Sequence, residues 1–276
     1  MKVWFVTGAS KGLGLILVKR LLNEGYQVAA TSRNKAALID AVGSKSENFL
    51  PLEVNLSSEE SLKTAVTSTL TKFKTIDVLV NNAGYGQGGA VEEVTDEEAR
   101  KNYEVNVFGL LNVTRAVLPV MRKNESGHIF NISSVGGYVG AFSGWGVYCS
   151  TKFAVSAITE GLHADLKDLG VKVTLIYPGY FRTNFLDKES MMLPSKPIAD
   201  YEGAKASMDY HVNSIDGNQP GDPEKAATAL IKLSNETNPP LHMFLGTDAV
   251  GMAESKIESF SAEVKKWKQL SESTDF

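Results

Sequence analysis

The sequence predicts an α/β fold, a doubly wound parallel sheet of about seven strands covered by helices on both faces. Three observations carry this expectation. Short apolar runs ending in turn residues alternate with amphipathic stretches of helical period along most of the chain. The runs are apolar at consecutive positions, as befits strands buried on both faces. Strand, helix and strand in alternation close through right-handed crossovers, which makes the strands parallel and places helices on both sides.

The chain has 276 residues, 43% of them hydrophobic, and a net charge of −4. That suits one large α/β core, and residues 1–276 are read as a single domain. Basic residues form no long run, so nucleic acid is not an expected partner. No apolar stretch approaches the roughly 20 residues of a membrane span, so a membrane is not expected either. The lone Cys149 excludes an intrachain disulfide, and the start Met-Lys-Val enters a strand without the pattern of a signal peptide. A soluble, cytoplasmic protein is expected. The histidines form no metal-like cluster, so no metal site is expected.

Val3 to Val6 reads as the first strand and breaks into Thr7-Gly8-Ala9-Ser10-Lys11-Gly12-Leu13-Gly14 before the helix Leu15 to Glu24. Gly8 lets the chain turn off the strand, Gly12 lets backbone approach a diphosphate, and Gly14 lets the helix pack closely. The anion then sits on unpaired N–H groups at the helix N-terminus. The second strand, Tyr26 to Thr31, ends at Ser32-Arg33-Asn34. An NAD site places an acidic residue about 20 positions after the glycines, whereas an arginine accommodates a 2′-phosphate. Ser32 stands at the acidic position, Arg33 follows it, and Lys11 adds a second positive charge, so NADP(H) is the expected cofactor.

The third strand, Phe49 to Val54, ends at Asn55-Leu56, and Ser58 caps a helix with Glu59 and Glu60 in its first turn. The fourth, Ile76 to Val80, runs into Asn81-Asn82-Ala83-Gly84 and the loop Tyr85 to Gly89. Thr7-Gly8, Ser32-Arg33, Asn55 and Asn81-Asn82 all fall at carboxyl ends of strands, which groups them into one crevice. A long helix, Asp96 to Lys123, should bury Val105, Phe108, Leu111 and Leu118. Asn106 lies in its middle; asparagine is unfavourable there and often kinks a helix, so something should use its amide.

The fifth strand, Gly127 to Asn131, leads through Ile132 to Ser133-Ser134, and a glycine-containing loop follows to Tyr148 and Lys152. Four positions apart on a helix, phenol and ammonium share one face. Cys149 beside them reads as a small packing residue. The sixth strand, Lys172 to Ile176, precedes Pro178-Gly179-Tyr180-Phe181-Arg182-Thr183.

These motifs, in this order, resemble the short-chain dehydrogenase/reductase family. Gly8, Gly12 and Gly14 led by Thr7 resemble its TGxxxGxG motif, and Asn81-Asn82-Ala83-Gly84 its NNAG element. Asn106, Ser134, Tyr148 and Lys152 match its Asn, Ser and Tyr-x-x-x-Lys tetrad, and the match spans about Lys2 to Thr183. The resemblance implies a Rossmann-type fold and an NADPH-dependent carbonyl reductase or alcohol dehydrogenase. Cofactor contacts then fall on Gly8, Ser10, Lys11, Gly12, Leu13, Gly14, Ser32, Arg33, Asn34, Asn55 and Leu56. They continue through Asn82, Ala83, Gly84, Tyr148, Lys152, Pro178, Gly179, Phe181 and Thr183.

In that scheme NADPH supplies hydride, Tyr148 the proton, and Ser134 a hydrogen bond to the carbonyl. Lys152 would lower the phenol's pKa toward neutrality and hold the nicotinamide ribose, and by resemblance Asn106 holds a water that links Lys152 to solvent. Two departures stand out. Asn55 replaces the family's usual Asp, and the interval from Ser134 to Tyr148 is one residue longer than the pattern. The loop Val135 to Gly146 must therefore bulge, and Ser133 stays a second candidate beside Ser134.

Beyond Thr183, residues 184–220 read as a substrate-binding loop or lid. Together with Gly136 to Trp145 this region offers Tyr138, Phe142, Trp145, Tyr180, Phe181, Phe185, Met191 and Met192 as pocket walls. The expected substrate is a medium or bulky apolar ketone, aldehyde or secondary alcohol. A non-catalytic NADP(H)-sensing protein, or an enzyme specific for a steroid, sugar or acyl carrier, are the alternatives. Asp222 and Pro223 start a helix, and Leu241 to Leu245 makes the last strand. In the extension 247–276, Ile257, Phe260, Val264 and Trp267 form one helical stripe. It is read as packing on the protein's own body, with a subunit contact, and so a homo-oligomer, as the alternative.

Overall fold

Alternating apolar runs become β1 (Val3–Val6), β2 (Gln27–Ser32), β3 (Phe49–Glu53), β4 (Val78–Asn81), β5 (Gly127–Ile132), β6 (Val171–Pro178) and β7 (His242–Leu245). In this computed structural model, which describes residues 1–187 and 190–276, all seven pair in parallel in the order β3-β2-β1-β4-β5-β6-β7. Lys188 and Glu189, inside the predicted loop 184–220, lie outside the described residues. The strand order reverses between β1 and β4, which opens a crevice above their carboxyl ends.

Consecutive strand residues feed two cores. Trp4, Val6, Val28 and Val80 face α1 (Gly12–Asn23) and, further along the chain, Ala227, Leu230 and Ile231. Phe5, Ala29, Leu79 and Ile129 face Leu62, Val66, Val113, Val117 and Met121 on the other side. Each fully buried valine, leucine, isoleucine, phenylalanine or methionine among them contributes roughly 1.5–3 kcal/mol, so the sheet is held from both faces. The next two helix starts carry side-chain caps, of which Ser58 is the expected one. Asn34 accepts from Ala37 N at α2 (Lys35–Val42), and Ser58 accepts from Ser61 N at α3 (Glu59–Phe73).

The long helix is one run from Asp96 to Lys123, but it is α4 (Asp96–Tyr103) and α5 (Gly109–Lys123) joined by a π-helical turn, Glu104–Phe108. The widened turn rotates the face that follows it. Phe108, expected inside, is 50% exposed, and the buried stripe is Val107, Leu110, Val113, Val117 and Met121. α6 (Gly146–Leu166) then lies against β6 and the π turn. A two-residue pair the sequence did not show, Gly86–Gln87 with Met191–Met192, ties the segment after Thr183 to the loop after β4. α7 (Glu202–Tyr210) follows within that segment, and α8 (Pro223–Asn235) starts at the Asp222 cap with Pro223 in its first turn.

α9 (Thr247–Glu272) corrects one expectation. Ala249 and Ala253 are buried, but Ile257, Phe260, Val264 and Trp267 are 56%, 57%, 57% and 55% exposed. The stripe does not pack on the protein's own body, because the body ends beneath the second turn of the helix. Among the described residues, no helix is long and apolar enough to cross a membrane.

Candidate active site

A cavity of about 780 Å³ lies at the carboxyl ends of the strands. Its first end is made of backbone. Gly8 has φ +64, and a Cβ there would come within 2.7 Å of Ala83 Cα. The Thr7 hydroxyl accepts from Asn82 N and Ala83 N, and the Asn82 amide donates to Thr7 O and Gly8 O. The NNAG element thus clamps the glycine turn. Gly14 packs on the same assembly, since its Cβ would lie 2.6 Å from Gly8 O.

Gly12 differs from both. It has φ +57, and only Thr183 Cβ approaches its missing side chain, at 3.8 Å. Bare backbone therefore faces open cavity beside the N-terminus of α1, where no side chain caps the first N–H groups. That donor set fits the diphosphate of a dinucleotide.

Most residues expected at the cofactor line this cavity: Gly8, Ser10, Lys11, Gly12, Leu13, Ser32, Arg33, Asn55, Leu56, Asn82, Ala83, Gly84, Pro178, Gly179, Phe181 and Thr183. Gly14 and Asn34 do not. Gly14 is spent on packing, and the Asn34 side chain on capping α2. Arg33 is exposed at the rim. Lys11 Nζ stands 4.0 Å from Asp187 Oδ1, which links the glycine loop to the 184–220 segment. Asn55 Oδ1 accepts from Ser57 N in a local turn.

At the cavity floor the end of β5 presents two serines in opposite directions, as successive strand residues do. Ser133 turns inward, donating to Lys152 O at 3.0 Å and meeting Ser156 Oγ at 3.3 Å. Ser134 accepts from Gly136 N and hydrogen bonds to the Tyr148 phenol. A 3₁₀ turn, Val135–Gly137, begins the longer loop to α6. Lys152 Nζ donates to Ile132 O at 3.0 Å and lies 5.9 Å from the Tyr148 ring centre.

Burial pushes the Tyr148 phenol well above its usual range, with the Ser134 hydrogen bond acting in the opposite direction. Against the expectation of a phenol drawn toward neutrality, burial sets the direction of its shift. The ammonium is itself desolvated, which lowers its pKa to about 8. Burial likewise pushes the Cys149 thiol up to about 11, in keeping with a packing residue.

Asn106 sits in the π turn, buried and just behind the cavity wall. Its Oδ1 accepts from Tyr85 N, and its Nδ2 donates to Tyr85 O and Thr151 Oγ1, each at 3.0 Å. The amide is thus used by the loop after β4 and by the helix that carries Tyr148 and Lys152. A Cβ at Gly84 would lie 3.0 Å from Asn106 Oδ1 and 3.4 Å from Lys152 Nζ, so the glycine leaves room for both side chains.

The other end of the cavity is walled by Phe142, Trp145, Tyr180, Phe181, Phe185 and Met192, as expected. Tyr138 and Met191 do not line it; Tyr138 stacks edge-on with Tyr177 and Phe244, and Met191 is core. Sequence reading missed a polar pole here. His211 Nδ1 donates to Ser207 O at 2.7 Å, so Nε2 accepts from the Tyr180 hydroxyl at 2.9 Å. The His211 ring lies 4.9 Å from Trp145, which in turn lies 5.8 Å from Tyr148. Gln87 and Gln219 also reach this end. No motif marks these residues, since their only common feature is the tertiary fold. Among the described residues, no group of three or more His, Cys, Asp or Glu could hold a metal ion.

A parallel sheet with a glycine turn at its switch point is a Rossmann-type fold, shaped for a dinucleotide and a second, smaller ligand. Comparison narrows the class. A family model described as short chain dehydrogenase matches residues 2–193. Oxidoreductase BOA17 of Botryotinia fuckeliana is 37% identical over 273 residues, 98% of each chain. A short-chain dehydrogenase structure from Streptomyces avermitilis aligns with TM-score 0.91 and 36% identity over 100% of both chains. The closed form of serine dehydrogenase complexed with NADP+ aligns with TM-score 0.75 and 26% identity over 88% of this chain and 94% of that one. The chain belongs to the short-chain dehydrogenase family and is an oxidoreductase.

Proposed function

We propose that the protein is an NADPH-dependent carbonyl reductase acting on a medium or bulky, largely apolar ketone or aldehyde, with the reverse alcohol oxidation open to it. The observation that carries this reading is the convergence of Ser134, Tyr148 and Lys152 at the floor of the cavity that Gly12 and the α1 N-terminus open at its far end. The relative complexed with NADP+ supports the cofactor.

Ser10, Lys11, Gly12 and Leu13 would hold the diphosphate, and Arg33 with Ser32 the 2′-phosphate. Asn55 and Leu56 would border the adenine, and Asn82, Ala83 and Gly84 the riboses. Pro178, Gly179, Phe181 and Thr183 would flank the nicotinamide. When bound, the reduced nicotinamide supplies a hydride to the carbonyl carbon.

Ser134 holds the carbonyl oxygen beside the Tyr148 phenol. Because burial keeps that phenol protonated at neutral pH, it has a proton to give as charge grows on the oxygen. Lys152 below pH 8 is a cation close to the resulting phenolate, stabilises it, and directs a proton back. Asn106 acts as a positioning residue through Tyr85 and Thr151. The aromatic wall receives the apolar part of the substrate, and the Tyr180–His211 pole fits one polar substituent away from the reacting carbon.

The test follows NADPH oxidation by absorbance across a panel of aryl ketones, long-chain ketones, aldehydes and keto sugars. Turnover of the bulky apolar carbonyls ahead of the sugars is expected. Tight NADPH binding with no turnover of any member would make the protein a cofactor sensor instead.

A further inference from the structure

The face of α9 that packs on the body through Ala249 and Ala253 continues past the edge of the body as a solvent-exposed apolar stripe. From Ile257 to Glu272 the helix projects about 24 Å at 1.5 Å per residue. Val250, Ala253, Ile257, Phe260, Val264 and Trp267 recur at alternating spacings of three and four, the a and d positions of a heptad seam. A projecting helix with a seam of this kind is marginal alone and gains its stability from a partner.

We infer that the exposed stripe of α9 is a dimerisation seam that pairs with the same stripe of a second copy of this chain, the two helices running antiparallel about a two-fold axis. In that arrangement Ile257 layers on the second copy's Trp267, and Phe260 on the second copy's Val264, which satisfies the self-complementarity of a two-fold contact. Flanking the seam, Glu254 meets the second copy's Lys268, and the symmetry repeats the pair. Among the described residues Lys268 pairs with the exposed Glu272, at 3.5 Å, a surface pair that can exchange partners. Glu263 meets its own symmetry mate at the solvated rim, where salt screens the repulsion.

The stripe's area suits this occupant. Phe260 and Trp267 each carry roughly 150–250 Å² of side-chain surface. With Ile257, Val264 and Leu270, each more than half exposed, two copies would bury on the order of 1,000 Å² here, the lower end for a specific interface. A lipid surface fits less well. Along the projecting segment Lys265, Lys266 and Lys268 are balanced by Glu258, Glu263 and Glu272, whereas a helix that lies on anionic lipid has a basic polar face.

Light scattering on the size-exclusion peak of the full chain tests the seam. The parent protein is expected at twice 29.9 kDa or an even multiple of it. The double variant Phe260→Glu/Val264→Glu should halve that mass with NADPH binding and turnover unchanged, since neither residue lies near the cavity. Mild oxidation of Phe260→Cys/Val264→Cys should trap a covalent dimer, and the buried Cys149 will not compete. A monomeric parent, or a double variant of unchanged mass, overturns the inference. So does a monomeric parent that floats with phosphatidylserine vesicles, an outcome that assigns the stripe to a lipid surface.

Discussion

At one end of the cavity Gly12 presents bare backbone beside a Gly8 turn held by Thr7 and Asn82, while at the other Trp145, Tyr180 and His211 present side chains drawn from three separate segments. The first end depends on φ values and on the absence of Cβ atoms, which tolerate almost no change. The second depends on packed rings and one hydrogen-bonded pair, which can be resized. A fold built this way keeps one cofactor site while its substrate site varies.

That contrast breaks most sharply at Gly8. Gly8→Ala places a Cβ against Ala83 Cα at a positive φ, so NADPH affinity should fall at least about 100-fold, as fluorescence titration would show. Met192→Ala at the opposite end should leave that affinity within about twofold. Equal losses would mean that the two ends are not independently built.

Ser134→Ala should lower kcat by about 100-fold, the scale for losing one donor to a developing oxyanion. Ser133→Ala should instead lower the melting temperature, because it removes bonds to Lys152 O and Ser156. A larger kcat effect at Ser133 would move the assignment by one residue. At the rim, Arg33→Asp should cost NADPH at least about tenfold in kcat/KM relative to NADH. A parent protein that uses both cofactors equally would leave the 2′-phosphate without a defined site.

The pH profile is the mildest test. Lys152 is charged below about 8 and neutral above it, so the reduction rate should decline severalfold as pH rises through 8. A rate that climbs through the same range would remove Lys152 from proton supply.

The difference between the two ends also explains what the sequence made legible. Backbone geometry writes itself into consecutive residues, so Gly8, Gly12, Asn82 and the spacing of Tyr148 and Lys152 could be read directly. The parallel, doubly wound sheet followed from the same alternation. Phe108 was misplaced because periodicity assumes an unbroken helix, and the π turn at Asn106 shifts the buried face. The Tyr180–His211 pair left no trace, because each residue has ordinary neighbours in the chain and they meet only in the fold. The Tyr148 phenol illustrates the same limit. Its neighbour Lys152 is visible at four residues' distance, but the burial that raises the phenol's pKa is a property of the whole cavity.

The central claim, that a backbone-built cofactor end serves a phenol that protonates the substrate, is tested most directly by Tyr148→Phe, measured in parallel for NADPH affinity and for single-turnover reduction of the best carbonyl substrate. The ring stays in its packing against Trp145 and Phe185, and only the hydroxyl is lost. The account predicts NADPH affinity within about threefold of the parent and turnover reduced by about 10³-fold or more. Turnover within about tenfold of the parent would contradict it, because the proton would then come from elsewhere.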